Sequence, residues 1–328
     1  MRVQHLRWLL VGATAVALCA CGGGGGGVES TPFVPPPPPP PGETGSSVLP
    51  PEHLGMVSSE PFAILGVGDQ YTSDSESSRT VLSGPAARDM QFRYDAATNT
   101  YQIAVPDYAP GTLANTQYNG AAGEVATSSI SQVTDGTSST LQPVHVFLPV
   151  PKAGDTYTYT SLGYWYGDAG TGPNGDAAFS EGIFAYGIPT AASSMPITGS
   201  ASYAASIFAM DSAIGLAFPV LGDAQLSFDF GAGTLSGSMH PQIADDFDGI
   251  FVDYGVYNFK DTVYSTGSTT FSGKFDVPNL SSADSSFDGQ FTGPSAAELM
   301  ARFFTPFHLS DGREGTLSGV WIGKKTGP

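Results

Sequence analysis

Most enzyme chemistry needs a nucleophile beside a base, a pair of carboxylates or a metal cluster. The sequence holds no Gly-x-Ser-x-Gly elbow, no His-Glu-x-x-His pair and no phosphate-binding loop signature. Beyond the first twenty residues its histidines are His53, His145, His240 and His308, far apart in the chain. An imidazole can ligate haem iron, but a solitary loop histidine reads as solvated surface. Asp245-Asp246-Phe247-Asp248-Gly249, followed by Asp253, offers oxygen ligands of the kind calcium takes. It lacks the spaced-ligand loop with its terminal glutamate, and the run from Asp168 to Asp176 is weaker still. The reading is a non-enzyme with no cofactor and no metal site. Recognition chemistry is better represented, in the consecutive aromatics Tyr164-Trp165-Tyr166. Neighbours on a strand point to opposite faces, so at least one of the three should stand exposed, and exposed Trp and Tyr favour contact with a partner. These three are the candidate binding residues.

The other reactive positions are the two cysteines. Arg2 and Arg7 precede an apolar stretch from Trp8 to Leu18, too short to span a bilayer and typical of an export signal. It ends in Leu18-Cys19-Ala20-Cys21, which resembles the lipobox of bacterial lipoproteins. Leu18 and Ala20 sit where that motif wants a branched apolar and a small residue, so cleavage falls before Cys21 and Cys21 carries the lipid. Cys19 leaves with the signal, and no thiol remains for a disulfide, a zinc site or a nucleophile. Several acyl chains, palmitate among them, anchor durably because each buried methylene adds about 0.8 kcal/mol. Gly22 follows the anchor rather than an inner-membrane retention aspartate, so the expected address is the outer membrane.

The tether comes next. Gly22 to Gly27 is flexible, and Pro35 to Pro41 is a stiff left-handed helix. At a rise of about 3.1 Å per residue the proline run reaches roughly 22 Å. Such composition builds no core and is expected to stay disordered. The expected division is a signal peptide over 1–20, the tether over 21–52, a smaller strand-rich domain over 53–152 and a β-barrel over 153–328.

Charge narrows the partners. Thirty acidic residues face 12 basic ones, a formal charge of −18 that grows once Arg2 and Arg7 are removed. A surface this acidic repels nucleic acid, which is set aside as a partner.

With 42 glycines and little Lys, Glu or Leu, the chain favours short strands and tight turns. From Thr156 onward apolar and polar residues alternate. One unit recurs: Leu235-x-Gly237-x-Met239, Phe271-x-Gly273-x-Phe275, Phe287-x-Gly289-x-Phe291 and Leu317-x-Gly319-x-Trp321. Each glycine shares a face with two bulky neighbours, while Ser236, Lys274, Asp288 and Gln290 fall on the wet face. Glycine weakens a strand, but a narrow closed sheet needs room at its bends, which missing side chains give while aromatics fill the interior. Strands are expected near 156–166, 180–188, 198–208, 223–230, 233–241, 254–265, 268–277 and 286–292, with 314–323 completing closure. Gly231-Ala232-Gly233 and Thr266-Gly267-Ser268 supply two of the turns. Pro294 to Phe304 reads as a helix, and 204–217 as helix or strand. The wet face also argues against a barrel embedded in lipid, which needs an outward apolar band.

Three runs carry a more specific likeness. Gly199-Ser-Ala-Ser-Tyr203 with Phe228 to Ser238, Phe287 to Leu299, and Gly315 to Lys325 resemble barrel strands of the transferrin-binding protein B family, over roughly 155–325. The resemblance implies an all-β protein, an eight-stranded antiparallel β-barrel preceded by a smaller strand-rich handle domain, displayed on the cell surface by a lipid anchor. It implies as partners a TonB-dependent receptor and a host iron- or haem-carrying protein. Those relatives have two such lobes, whereas this length holds one. The functional expectation is a surface-exposed outer-membrane lipoprotein that binds a macromolecular or nutrient partner. The rivals are a structural or adhesive surface lipoprotein and a small-ligand carrier with a hollow barrel.

Overall fold

The computed structural model describes residues 60–73, 79–95, 97–98, 100–106, 108, 110–114, 125–133, 141–149, 157–245, 250–280 and 284–327. The expectations on the signal, on Cys21 and on the tether lie outside these. The described elements are strands and two single 3-10 turns, in three sheets. The fold is all-β, a closed eight-stranded antiparallel barrel with a smaller sheet domain.

A four-stranded sheet has the order β1 (Glu60–Pro61), β4 (Gln91–Asp95), β5 (Thr100–Ala104), β6 (Gly111–Ala114). A six-stranded sheet has the order β3 (Arg79–Arg88), β2 (Ala63–Ser73), β10 (Ala177–Gly187), β9 (Thr160–Thr171), β8 (Leu141–Pro149), β7 (Val125–Val133). The barrel runs β11 (Ser200–Asp211), β12 (Gly215–Asp229), β13 (Thr234–Asp245), β15 (Tyr257–Val263), β16 (Thr270–Asp276), β17 (Ser286–Thr292), β18 (Glu298–His308), β19 (Glu314–Gly327), and β19 pairs back onto β11. Short β14 (Ile250–Asp253) extends the β15 side of β13.

The recurrent glycines line the barrel interior as the sequence predicts. Opposite each stands a bulky residue of the next strand: Phe271 faces Gly289, Phe287 faces Gly273 and Phe303 faces Gly319. Trp321 sits at the centre among Phe259, Phe275, Phe287 and Phe303, with centroids 5.2–6.1 Å away. A second group forms where Phe228 meets Tyr203, Tyr264, Phe271 and Phe291 at 4.8–5.6 Å. Thr270, Lys274 and Asp276 alternate with them and are exposed. Both turns form: Asp229 accepts the Gly231 and Ala232 amides, Gly233 is left-handed at φ 67°, and Gly267 takes φ 78° between β15 and β16.

Two readings are corrected. The helix expected from Pro294 to Phe304 is instead one 3-10 turn, Pro294–Ala296, leading into β18. Leu299, Phe303 and Phe307 of β18 point into the barrel, whereas Met300 and Phe304 pack toward the handle. A strand buried on both faces reads as a continuous apolar run, which periodicity alone does not separate from a helix. The same reason makes 204–217 strand, in β11 and β12. The second correction concerns which strands close the barrel. Those expected near 156–166 and 180–188 are β9 and β10, which belong to the six-stranded handle sheet, and β18 supplies the place left over.

The handle sheet is sandwiched. One face packs on the four-stranded sheet through Phe62, Phe92, Ile103, Trp165, Phe184 and Tyr186. Its other face lies on the barrel wall, where Val67, Ile183 and Ala185 meet Phe208, Met210, Met300, Val320 and Ile322. Polar clamps flank this contact. Buried Glu298 accepts the Thr158 and Tyr159 amides at 2.7 and 2.9 Å, and the Tyr157 hydroxyl donates to the Ile322 carbonyl at 2.7 Å.

Candidate binding surface

Tyr164, Trp165 and Tyr166 lie together on β9, and the pleat sends them to opposite sides of the handle sheet. Trp165 is fully buried in the contact with the four-stranded sheet. Its indole covers the facing pair Gly68 and Gly182, where a Cβ on either would collide with the ring. Tyr164 faces the barrel and rests against Phe208, ring centroids 6.1 Å apart. Burial pushes its phenol up to about 12. Tyr166 stacks on Phe179 at 5.6 Å, and Phe179 on Tyr71 at 5.5 Å. None of the three is exposed, because Tyr164 and Tyr166 are half-buried. The three do alternate between faces, but both faces of this sheet are covered, by the four-stranded sheet and by the barrel.

The stack leads to a charged cluster that the sequence reading missed. On the barrel-facing side Tyr166, Glu181 and Asp69 stand in one row across β9, β10 and β2. The Arg79 guanidinium binds both Asp69 oxygens at 2.7 Å, contacts a Glu181 oxygen at 2.7 Å and lies 3.7 Å over the Tyr71 ring. Its Nε donates to the Ser212 carbonyl of the barrel at 3.2 Å. Asp69 and Glu181 are almost wholly buried. Burial raises both carboxyls above their ordinary range, Glu181 to about 7, against the opposing pull of Arg79. A signal was present: Glu181 shares a face with Phe179 and Ile183, and Asp69 with Val67. A charged residue at an apolar position of a strand needs a buried partner.

The remaining titratable candidates are separate. His240 pairs with Asp253 at 2.8 Å on the outer barrel wall, and His308 with Glu314 at 3.5 Å across β18 and β19. Asp168 accepts the Gly170 amide at 2.7 Å. His53 and residues 246–249 lie outside the described residues, and the side chain of His145 is not described.

Because aromatics fill the barrel, open surface is on its outside. A groove of about 290 Å³ runs over β16 and β17 beside the handle, bordered by Leu65, Val263, Thr270, Ser272 and Gln290. Toward the opposite end of the barrel Phe251 is 65 % exposed, Val256 50 % and Leu221 39 %. Leu221, Gln242 and Asp253 stand in register across β12, β13 and β14, which places Leu221 and Phe251 on the same outer wall.

The chain matches no family model and no curated protein. Among solved structures it is similar to a transferrin-binding protein B from Haemophilus parasuis, at 13% identity and a TM-score of 0.35, over 81% of this chain and 76% of that one. It is also similar to an isotype 1 transferrin-binding protein B from serogroup B Neisseria meningitidis, at 16% identity and a TM-score of 0.38, over 79% of this chain and 44% of that one. Neither likeness assigns a ligand to this chain.

Proposed function

We propose that the chain is an outer-membrane lipoprotein, anchored through Cys21, whose handle and barrel bind a macromolecular or nutrient partner on their outer surfaces. The observation that carries this reading is the filled barrel. Its interior is occupied by the rings around Trp321 and Phe228, which leaves recognition to exterior strands and loops, where binding is commonly built. Exposed Phe251, Val256 and Leu221 are among the apolar side chains available there. The lipobox-like run ending at Cys21 and the proline-rich sequence after it support display beside the membrane. The finer reading places it in iron, haem or other solute acquisition next to a TonB-dependent receptor, with a host iron- or haem-carrying protein as the captured partner. It rests on the three barrel-strand motifs that resemble the transferrin-binding protein B family. Tyr164 and Tyr166, half-buried on β9, stay in the reading as contacts on the handle side, and Trp165 as the side chain that holds their strand in place.

The test is in cells. Crosslinking from the surface of intact cells should recover a partner with wild-type protein and lose it with Phe251→Asp. Deletion of the gene should slow growth on at least one iron or haem source. Unchanged growth on every source, with no crosslinked partner, would remove the acquisition reading.

A further inference from the structure

We propose that Glu181 is a proton-operated latch between the handle sheet and the β11–β12 hairpin of the barrel. The hairpin is fitted to the charges, not only to the apolar contact beside them. Ser212 gives its carbonyl to Arg79, and the Leu216 amide donates to Glu181. Gly215, at φ 62°, leaves room that any side chain would take, since a Cβ there would fall against Glu181 and 2.6 Å from an Arg79 nitrogen. Release of the hairpin would give Glu181 back to water.

The charges make that step depend on a proton. One guanidinium, that of Arg79, contacts both carboxylates directly, so Glu181 must share its ion-pair partner with Asp69. The handle groups facing Glu181 are Asp69 and Tyr71 on β2, Arg79 on β3 and Tyr166 on β9, with Arg88 of β3 acting on Asp69. The barrel offers Ser212 to Leu216, none of them ionisable. The nearest barrel carboxylate in sequence, Asp211, is held by the Tyr254 hydroxyl at 2.8 Å and by the Ala213 amide. No second cation enters from the barrel side of the cluster among these groups.

Desolvation raises Glu181 from 4.5 to about 7 when the hairpin is docked. A raised value means that docking favours the protonated carboxyl. The latch is therefore firm below the undocked value, weakens as pH rises through about 7, and is weakest above it. For one group with these two values, linkage makes the opening equilibrium rise about tenfold between pH 6 and pH 8.

Hydrogen exchange on the full chain, corrected for intrinsic rates, reads this directly. Opening of the Leu216 amide, which donates to Glu181, should rise about tenfold from pH 6 to pH 8, with β16–β17 amides unchanged. Glu181→Gln, which cannot ionise, should exchange at pH 8 as it does at pH 6. Carbon-13 titration of the Glu181 carboxyl in wild-type protein should show a midpoint near 7. A midpoint near the ordinary glutamate value, flat exchange in wild type, or a tenfold rise that persists in Glu181→Gln would each overturn the latch. If Glu181→Gln fails to fold, the two wild-type measurements decide alone. None of these readouts requires a binding partner, so the latch and the proposed function stand or fall separately.

Discussion

Phe271 of β16 and Gly289 of β17 are directly opposed inside the barrel, and the phenyl ring lies over the glycine so closely that a Cβ there would strike it. Two residues along, the relation reverses: Phe287 covers Gly273, where a Cβ would come 2.5 Å from the ring. The missing side chains are the space the rings occupy, so ring and glycine form one packing unit across the rung.

Valine at Gly289 or Gly273 must displace that ring. Overpacking of this kind costs roughly 1–3 kcal/mol. Thr270→Val, on the exposed face of the same strand, should change little. Denaturant unfolding of the three variants checks the difference, and equal tolerance at the two faces would contradict the packing.

Trp165 should matter to the handle as a core side chain. Trp165→Ala removes an indole that covers Gly68 and Gly182 and touches Phe184, with an expected loss of about 3–5 kcal/mol. Tyr166→Phe keeps the stack on Phe179 and loses only the hydroxyl's bond to Tyr71, so it should cost about 1 kcal/mol. Thermal unfolding separates the two, and a near-native Trp165→Ala would refute its place in the core.

Glu298 holds the strand that enters β9. Its two oxygens each accept one backbone amide, from Thr158 and from Tyr159. Glu298→Gln turns an N–H₂ toward one of those donors, at a cost of about 1–3 kcal/mol for a buried unsatisfied group. Glu314→Gln, at a side chain 78 % exposed, is the control and should be silent. Proteolysis near residues 157–160 should quicken in the Glu298 variant only.

At the start of the chain, Cys21→Ser should yield unacylated protein that leaves the membrane fraction, whereas Cys19→Ser should change little. Metabolic labelling with a fatty acid is the measurement. Label retained in the Cys21 variant would move the anchor elsewhere.

Seven of the eight barrel strands are legible in local sequence, β18 being the exception. Alternation with a glycine fixed between two bulky residues is a local pattern with one economical packing, and strands β13, β16, β17 and β19 follow it. Turn chemistry at Gly231-Ala232-Gly233 and Thr266-Gly267-Ser268 is equally local, since positive φ belongs to the residue. Neighbour identity is not local. Nothing within β9 or β10 says whether the next strand across is β2 or β11, because alternation records which faces are buried and not by what. For the same reason β18, covered inside by the barrel and outside by the handle, lost its period and looked helical. Tertiary structure alone decided that both faces of Tyr164-Trp165-Tyr166 would be covered. It alone brought Asp69, Arg79 and Glu181, which lie on three strands and span 112 positions of sequence, against the backbone of Ser212 and Leu216. Their shared burial is a property of the packed interface, and it gives Glu181 a proton affinity that no single segment carries.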